Sequence, residues 1–183
     1  MKKIIVVASL LLLAFSAFSQ KRYFTKTGNI SFKAGTAVED INANNKSVTC
    51  VFDAQSGDMQ FAVLIKGFEF KNALMMEHFN ENYMESDKYP KAVFKGKITN
   101  LDKINFQKDG TYNATVKGIL DLHGVQKEIL TSGTFKVTGE TVLVIANFDV
   151  LLQDYKIAIP NLVKDKIAKA ASIIINCNNS ILK

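Results

Sequence analysis

The sequence predicts an all-β domain of eight antiparallel strands closed into an up-and-down barrel, with one or two short helices. Three observations carry this. Tyr112, Ala114, Val116, Gly118, Leu120 and Leu122 alternate with Asn113, Thr115, Lys117 and Asp121, and period two with one polar face marks a half-buried antiparallel strand. Only two prolines occur in 183 residues, and Gly, Asn and Asp break the chain into short alternating segments, the spacing of an all-β domain. Turn-forming residues at Asp109-Gly110, His123-Gly124 and Gly139-Glu140 join successive segments into a meander. A meander of eight twisted strands either exposes two edges or closes, and closure removes the edges.

The elements follow in chain order. Lys2 and Lys3 precede an unbroken apolar run from Ile4 to Leu13 and then Ala14-Phe15-Ser16-Ala17-Phe18-Ser19, the n-region, h-region and small-residue cleavage region of an export signal. The run is shorter than the roughly 20 residues of a membrane span. Residues 1–19 are therefore expected to be a signal peptide cut after Ser19, and 20–183 one domain, periplasmic or secreted. Strands are expected at 23–32, 47–53, 59–70, 92–101, 111–122, 127–138, 141–152 and 172–182. Two segments depart from period two. In 72–84, Leu74, Met75, Phe79 and Tyr83 fall near helical spacing behind Asn72, a suitable N-cap. In 161–170, Leu162, Val163, Ile167 and Ala170 oppose Lys164, Asp165, Lys166 and Lys169, with Asn161 placed to cap a second helix.

Removal of the signal leaves 21 basic against 17 acidic side chains, a mild excess. The lysines stand singly along the strands (Lys91, Lys95, Lys97, Lys103, Lys108, Lys117) rather than clustered with aromatics, so no nucleic-acid footprint is present. Cys50 and Cys177 each lie in an apolar strand. They fit either a disulfide of an oxidising compartment or two small core residues.

Chemistry-bearing patterns are absent. The two histidines, His78 and His123, lie on the Met-rich helical segment and in a tight turn, and neither accompanies a nucleophile elbow or a zinc-spaced cysteine pair. Glu77 and Glu81 sit four apart on the expected helix, as in an ordinary solvated face. No catalytic residue, metal site or cofactor is expected. What the chain does supply is apolar and aromatic material, including Leu74-Met75-Met76 beside Phe79, where methionine suits an adaptable lining or lid.

At these residues the chain resembles a known family. Met76-Glu77-His78-Phe79-Asn80-Glu81-Asn82-Tyr83-Met84, then Lys88-Tyr89-Pro90-Lys91-Ala92-Val93-Phe94, then Val116-Lys117-Gly118-Ile119-Leu120-Asp121-Leu122-His123-Gly124-Val125 follow the order found in the YceI-like family. The likeness extends to Phe148, Asp149 and 155–160, although the family's opening tryptophan is missing, since the chain has none. The resemblance implies a lipocalin-like, exported barrel whose cavity holds a polyisoprenoid or another amphiphilic chain without catalysis. Phe68, Phe70, Leu74, Met75, Phe79, Tyr83, Phe94, Gly118 and Leu120 are then the lining candidates. The implied partner is an isoprenoid-type lipid, with transient contact to a membrane surface compatible with such cargo and a homodimer left open. A rival reading is an envelope structural or interaction protein with a filled barrel and no ligand.

Overall fold

The computed structural model describes residues 21–182; the expected signal segment and its cut after Ser19 lie outside them. The chain forms β1 (Arg22–Gly35), β2 (Asn42–Asp53), β3 (Asp58–Leu64), β4 (Glu69–Phe70), α1 (Ala73–His78), β5 (Lys91–Ile98), β6 (Gly110–Leu122), β7 (Val125–Thr138), β8 (Thr141–Leu151) and β9 (Ile167–Ile181). Strand order runs β1-β9-β8-β7-β6-β5-β3-β2, and β1 pairs with β2 to close the ring. Every pairing is antiparallel. The result is the expected eight-stranded barrel, with β4 as a two-residue addition to β2.

Alternation places the core. Along β6 the buried Ala114 and Val116 point inward and Lys117 outward, and along β7 the buried Phe135 and Val137 alternate with the exposed Lys136 and Thr138. Burying such side chains is the dominant favourable term, roughly 25 cal/mol per Å² of apolar surface. Lys97–Asp58 and Lys117–Glu128 ion pairs lie on the outer wall, where each contributes little.

The two ends of the barrel are built differently. The lower end carries the β2–β3 and β7–β8 turns and the connection 99–109 between β5 and β6. There Tyr23, Phe52, Phe106 and Phe135 form one aromatic plug with ring centroids 5.0 to 6.2 Å apart. The upper end carries the β1–β2 loop, the long excursion 65–90, the β6–β7 turn and the β8–β9 loop.

Three details differ from expectation, and a fourth, left open by the sequence, takes one of its two forms. The run 59–70 is not one strand: β3 stops at Leu64, whose carbonyl accepts from the Asn45 side chain at 2.9 Å, and a 3-10 turn Ile65–Gly67 follows. A Cβ at Gly67 would stand 2.7 Å from Asn45 Nδ2, so a larger residue there would push the Asn45 side chain off the Leu64 carbonyl. The second helix at 161–170 does not form. Asn161–Val163 makes a single 3-10 turn behind Pro160, and β9 begins at Ile167, where Gly35 of β1 and then Leu151 of β8, opposite Ala170, recruit the backbone. Pairing on both sides overrides a helical spacing of only ten residues. Asp109-Gly110 is not a hairpin turn; Gly110 opens β6, and Asp109 accepts from the Gly139 amide at 2.9 Å, tying two lower loops together. Finally, Cys50 and Cys177 are free buried thiols. Their strands flank β1, and two strand spacings of about 4.8 Å exceed the roughly 7 Å Cα separation a disulfide spans.

Candidate ligand cavity

The upper half of the barrel is hollow. A cavity of about 470 Å³ runs between the strands above the plug, lined by inward residues of β1, β3 and β5 to β9. On β7 the inward lining positions are Ile129, Thr131, Gly133 and Phe135, and on β8 Val144, Ala146, Phe148 and Val150; the exposed Ser132 and Ile145 line it too, where the pairing of the two strands ends at Gly133 and Ala146. The plug is its floor, with Phe135 contributing to both.

A lid covers part of the top. Asn72 starts α1 as its side chain accepts from the Leu74 and Met75 amides at 2.9 and 3.4 Å. The helix then widens into a π-helical stretch, Phe79–Tyr83, closed by Met84 N–H donating to Phe79 C=O at 2.8 Å. Such insertions recur at functional sites; here the wider turn lets Tyr83 and Met84, adjacent in sequence, both line the cavity. Phe79 holds the lid down. Its ring lies 5.4 Å from Phe32, 5.7 Å from Phe68 and 5.0 Å from Phe70, and each such aromatic pair adds about 0.5–1.5 kcal/mol beyond area burial.

The far side of the top is clasped shut. Leu122 pairs with Val125 across a two-residue turn in which His123 and Gly124 have φ of 53° and 71°, the doubly positive pattern of a type I′ hairpin. This conformation drops the His123 ring inward. Its Nδ1 donates to the Tyr155 carbonyl and its Nε2 meets Glu85, both at 2.9 Å, while Tyr89 packs edge-on at 4.7 Å. One imidazole thereby joins the lid excursion, the β6–β7 turn and the β8–β9 loop. Ile65, Met84, Val150, Tyr155 and Ile157 pack as a small core beneath it.

The β1–β2 loop, the start of α1 and the β8–β9 loop meet at the rim of the cavity. Thr36 Oγ1 donates to the Asp165 carbonyl at 2.6 Å, Lys166 pairs with Glu39 at 3.2 Å, and Lys71 reaches Asp40 at 4.0 Å. Glu39, Asn72, His78 and Lys166 are the polar groups at this rim. Val38, Leu74, Met76 and Leu162 stand around it exposed, Leu162 by 90%.

Of the residues singled out from the sequence, Phe68, Phe70, Leu74, Met75, Phe79, Tyr83, Phe94 and Leu120 all line this one cavity. Gly118 does not. It faces Gly96 across β5 and β6, and the two leave a slot for the Phe94 ring, whose Cζ would be 2.7 and 2.4 Å from a Cβ on either. The pair makes room for a neighbour's ring rather than for a ligand. The sequence reading did not name Phe32, Phe61, Ile129, Phe148 and Ile173 as lining; each sits at an inward strand position, where alternation can signal burial but not empty space.

Chemically the interior offers almost nothing polar. Burial pushes the Tyr83 phenol above its ordinary value, which keeps it neutral. Among the described residues no group of His, Cys, Asp or Glu could hold a metal ion. An ion or sugar placed inside would lose its water without partners, at a cost of several kcal/mol; an alkyl chain would not.

A closed antiparallel barrel, packed below and hollow above with an apolar interior and a lidded mouth, belongs to the lipocalin-like class of cavity barrels. The particular family is given by the sequence: residues 15–178 match the YceI-like domain, and the chain belongs to that family. A polyisoprenoid-binding domain from Saccharophagus degradans, implicated in plant cell wall breakdown, superposes with a TM-score of 0.76 at 13% identity, covering 89% of this chain and 99% of that one. BcnA of Burkholderia cenocepacia gives 0.66 at 15% identity, covering 82% and 95%. The Campylobacter jejuni YceI protein gives 0.59 at 17% identity, covering 77% and 84%. At such identities the likeness is one of fold. No curated protein matches the chain.

Proposed function

We propose that the protein is an exported, non-catalytic carrier or store for a polyisoprenoid or similar amphiphilic lipid, held by its apolar chain within the barrel. The observation that carries this reading is the cavity of about 470 Å³, whose wall is apolar apart from Thr131, Ser132 and Tyr83 and whose charged side chains, Glu39 and Lys166, stand near its rim. Each buried CH₂ contributes about 0.8 kcal/mol, so a few isoprene units offset the ordering costs of association. Membership of the YceI-like family and the polyisoprenoid-binding S. degradans domain lend it support. Export rests on the Lys2-Lys3, Ile4 to Leu13 and Ala17-Phe18-Ser19 pattern. The hollow interior weighs against the rival filled barrel.

The exposed Val38, Leu74, Met76 and Leu162 at the mouth fit brief contact with a bilayer surface during loading, since clustered exposed apolar side chains are what such surfaces present. The decisive experiment is extraction of purified protein with organic solvent followed by mass spectrometry, then titration of emptied protein with isoprenoid alcohols. A co-purifying or titratable isoprenoid is expected. Repeatedly empty extracts together with no uptake of added isoprenoid would sink the reading.

A further inference from the structure

Resting on that reading, we propose that the aromatic plug makes the cavity a ruler, and that the ligand's enclosed chain is short, about three to four isoprene units. The limit comes from β7. Its inward positions from Ile129 to Phe135 line the cavity, while the next, Val137, is 2% exposed and lies outside it among packed side chains. Six residue steps at about 3.3 Å make a wall of roughly 20 Å. Three backbone bonds of an extended chain span about 3.6 Å, so the four of an isoprene unit span about 5 Å. With a strand tilt of about 40°, the axial depth along β7 falls to about 15 Å, three units, and along β9, which lines the cavity over eight steps from Ile167 to Ile175, to about 20 Å, four units.

The floor offers no way through. Phe135 meets Phe52 edge-on at 5.3 Å and Phe106 at 6.2 Å, and Tyr23 stacks on Phe52 at 5.0 Å. Tyr23 donates from its hydroxyl to the Phe106 carbonyl at 3.5 Å, which fastens the 99–109 connection across the barrel's end. All four rings are at most 7% exposed. A cavity of about 470 Å³ also falls in the lower half of the usual range for small-molecule sites, about 300–1,000 Å³. A longer chain enters as far as Phe135 and leaves its remaining units outside the cavity, where they gain nothing from its apolar wall.

The test is competition of geraniol, farnesol, geranylgeraniol and solanesol against a fluorescent prenyl probe, on the purified protein and on Phe135→Ala. For the unaltered protein, affinity is expected to climb at least about tenfold per added unit and to level off at geranylgeraniol. In Phe135→Ala the levelling moves to a longer alcohol; since the same alcohols serve both proteins, their solubility cancels. Where Phe135→Ala fails to fold, Val144→Phe does the work. Val144 lines the cavity directly across from Phe135 on β8, and filling that position is expected to move the levelling to farnesol. Affinity rising undiminished to solanesol, or a levelling point that stays put in a folded variant, overturns the ruler and leaves lipid binding intact. No uptake of any alcohol removes both.

Discussion

Cys177 is fully buried on β9, and desolvation pushes its thiol from 9.0 up to about 11; Cys50, also fully buried, is raised well above the ordinary value for the same reason, with the nearby Cys177 adding to it. Thiolates are the reactive form, so both cysteines are expected to resist Ellman's reagent in the native protein and react in denaturant. The folded Cys177 holds its proton more tightly than the unfolded one. Its contribution is thus fully present below pH 9.0 and lost as pH rises towards 11, about 2–3 kcal/mol at 1.36 kcal/mol per unit. Chemical denaturation of Cys177→Ala across that range is expected to show a correspondingly shallower alkaline decline. His123 is a different kind of buried residue, because it bonds three segments at once. Asn tolerates its positive φ but cannot reach both partners. His123→Asn should cost about 2–3 kcal/mol and raise hydrogen exchange at the Lys88 and Tyr89 amides, which both donate to the Glu85 carbonyl. Unchanged exchange there would mean that the imidazole does not hold the excursion.

The lid is the element on which sequence and structure agree in part. Helical spacing and the Asn72 cap were legible because both are local. The π-helical widening and the Phe79 contacts were not, since they depend on Phe32, Phe68 and Phe70 arriving from β1 and the β3–β4 region. The same division explains the missing helix at 161–170: its residues carry helical spacing, but β1 and β8 offer two ladders of hydrogen bonds that only the folded barrel supplies. It also explains Gly118, whose neighbour across the sheet is another glycine that alternation cannot reveal. Because α1 buries no residue of its own, Phe79 is its main attachment. Phe79→Ala is expected to speed dissociation of a bound prenyl probe by about tenfold or more, given the three aromatic pairs lost, while lowering barrel stability much less than a fully buried Phe→Ala, about 3–5 kcal/mol. Stopped-flow displacement and thermal unfolding separate the two effects.

Across the whole barrel, strand number, order and closure were readable because period two and Gly-containing turns are repeated, mutually consistent signals. The depth of the hollow was not, since it depends on which inward side chains meet across the barrel: Phe52 and Phe135 touch, whereas Ile129 and Phe148 face open space. Among the described residues no ion pair spans the middle of the cavity, and those at the rim and wall, such as Lys166–Glu39 and Lys117–Glu128, are part-exposed or exposed. Salt screens such charges within about 8–10 Å. Affinity for a neutral isoprenoid alcohol is therefore expected to change less than about twofold between low and near-molar salt. A steep salt dependence would place the binding energy at the charged rim instead of the apolar interior.

The division of one barrel into a solid end and a hollow end separates the residues that keep the protein folded from those that shape its cavity. Substitutions at Phe61, Ile129 or Phe148 alter the shape of a space, whereas those at Phe52, Val142 or Cys177 break a close-packed interior. A barrel built this way has room to change the shape of its hollow by drifting in the upper half alone, with the lower half as a foundation.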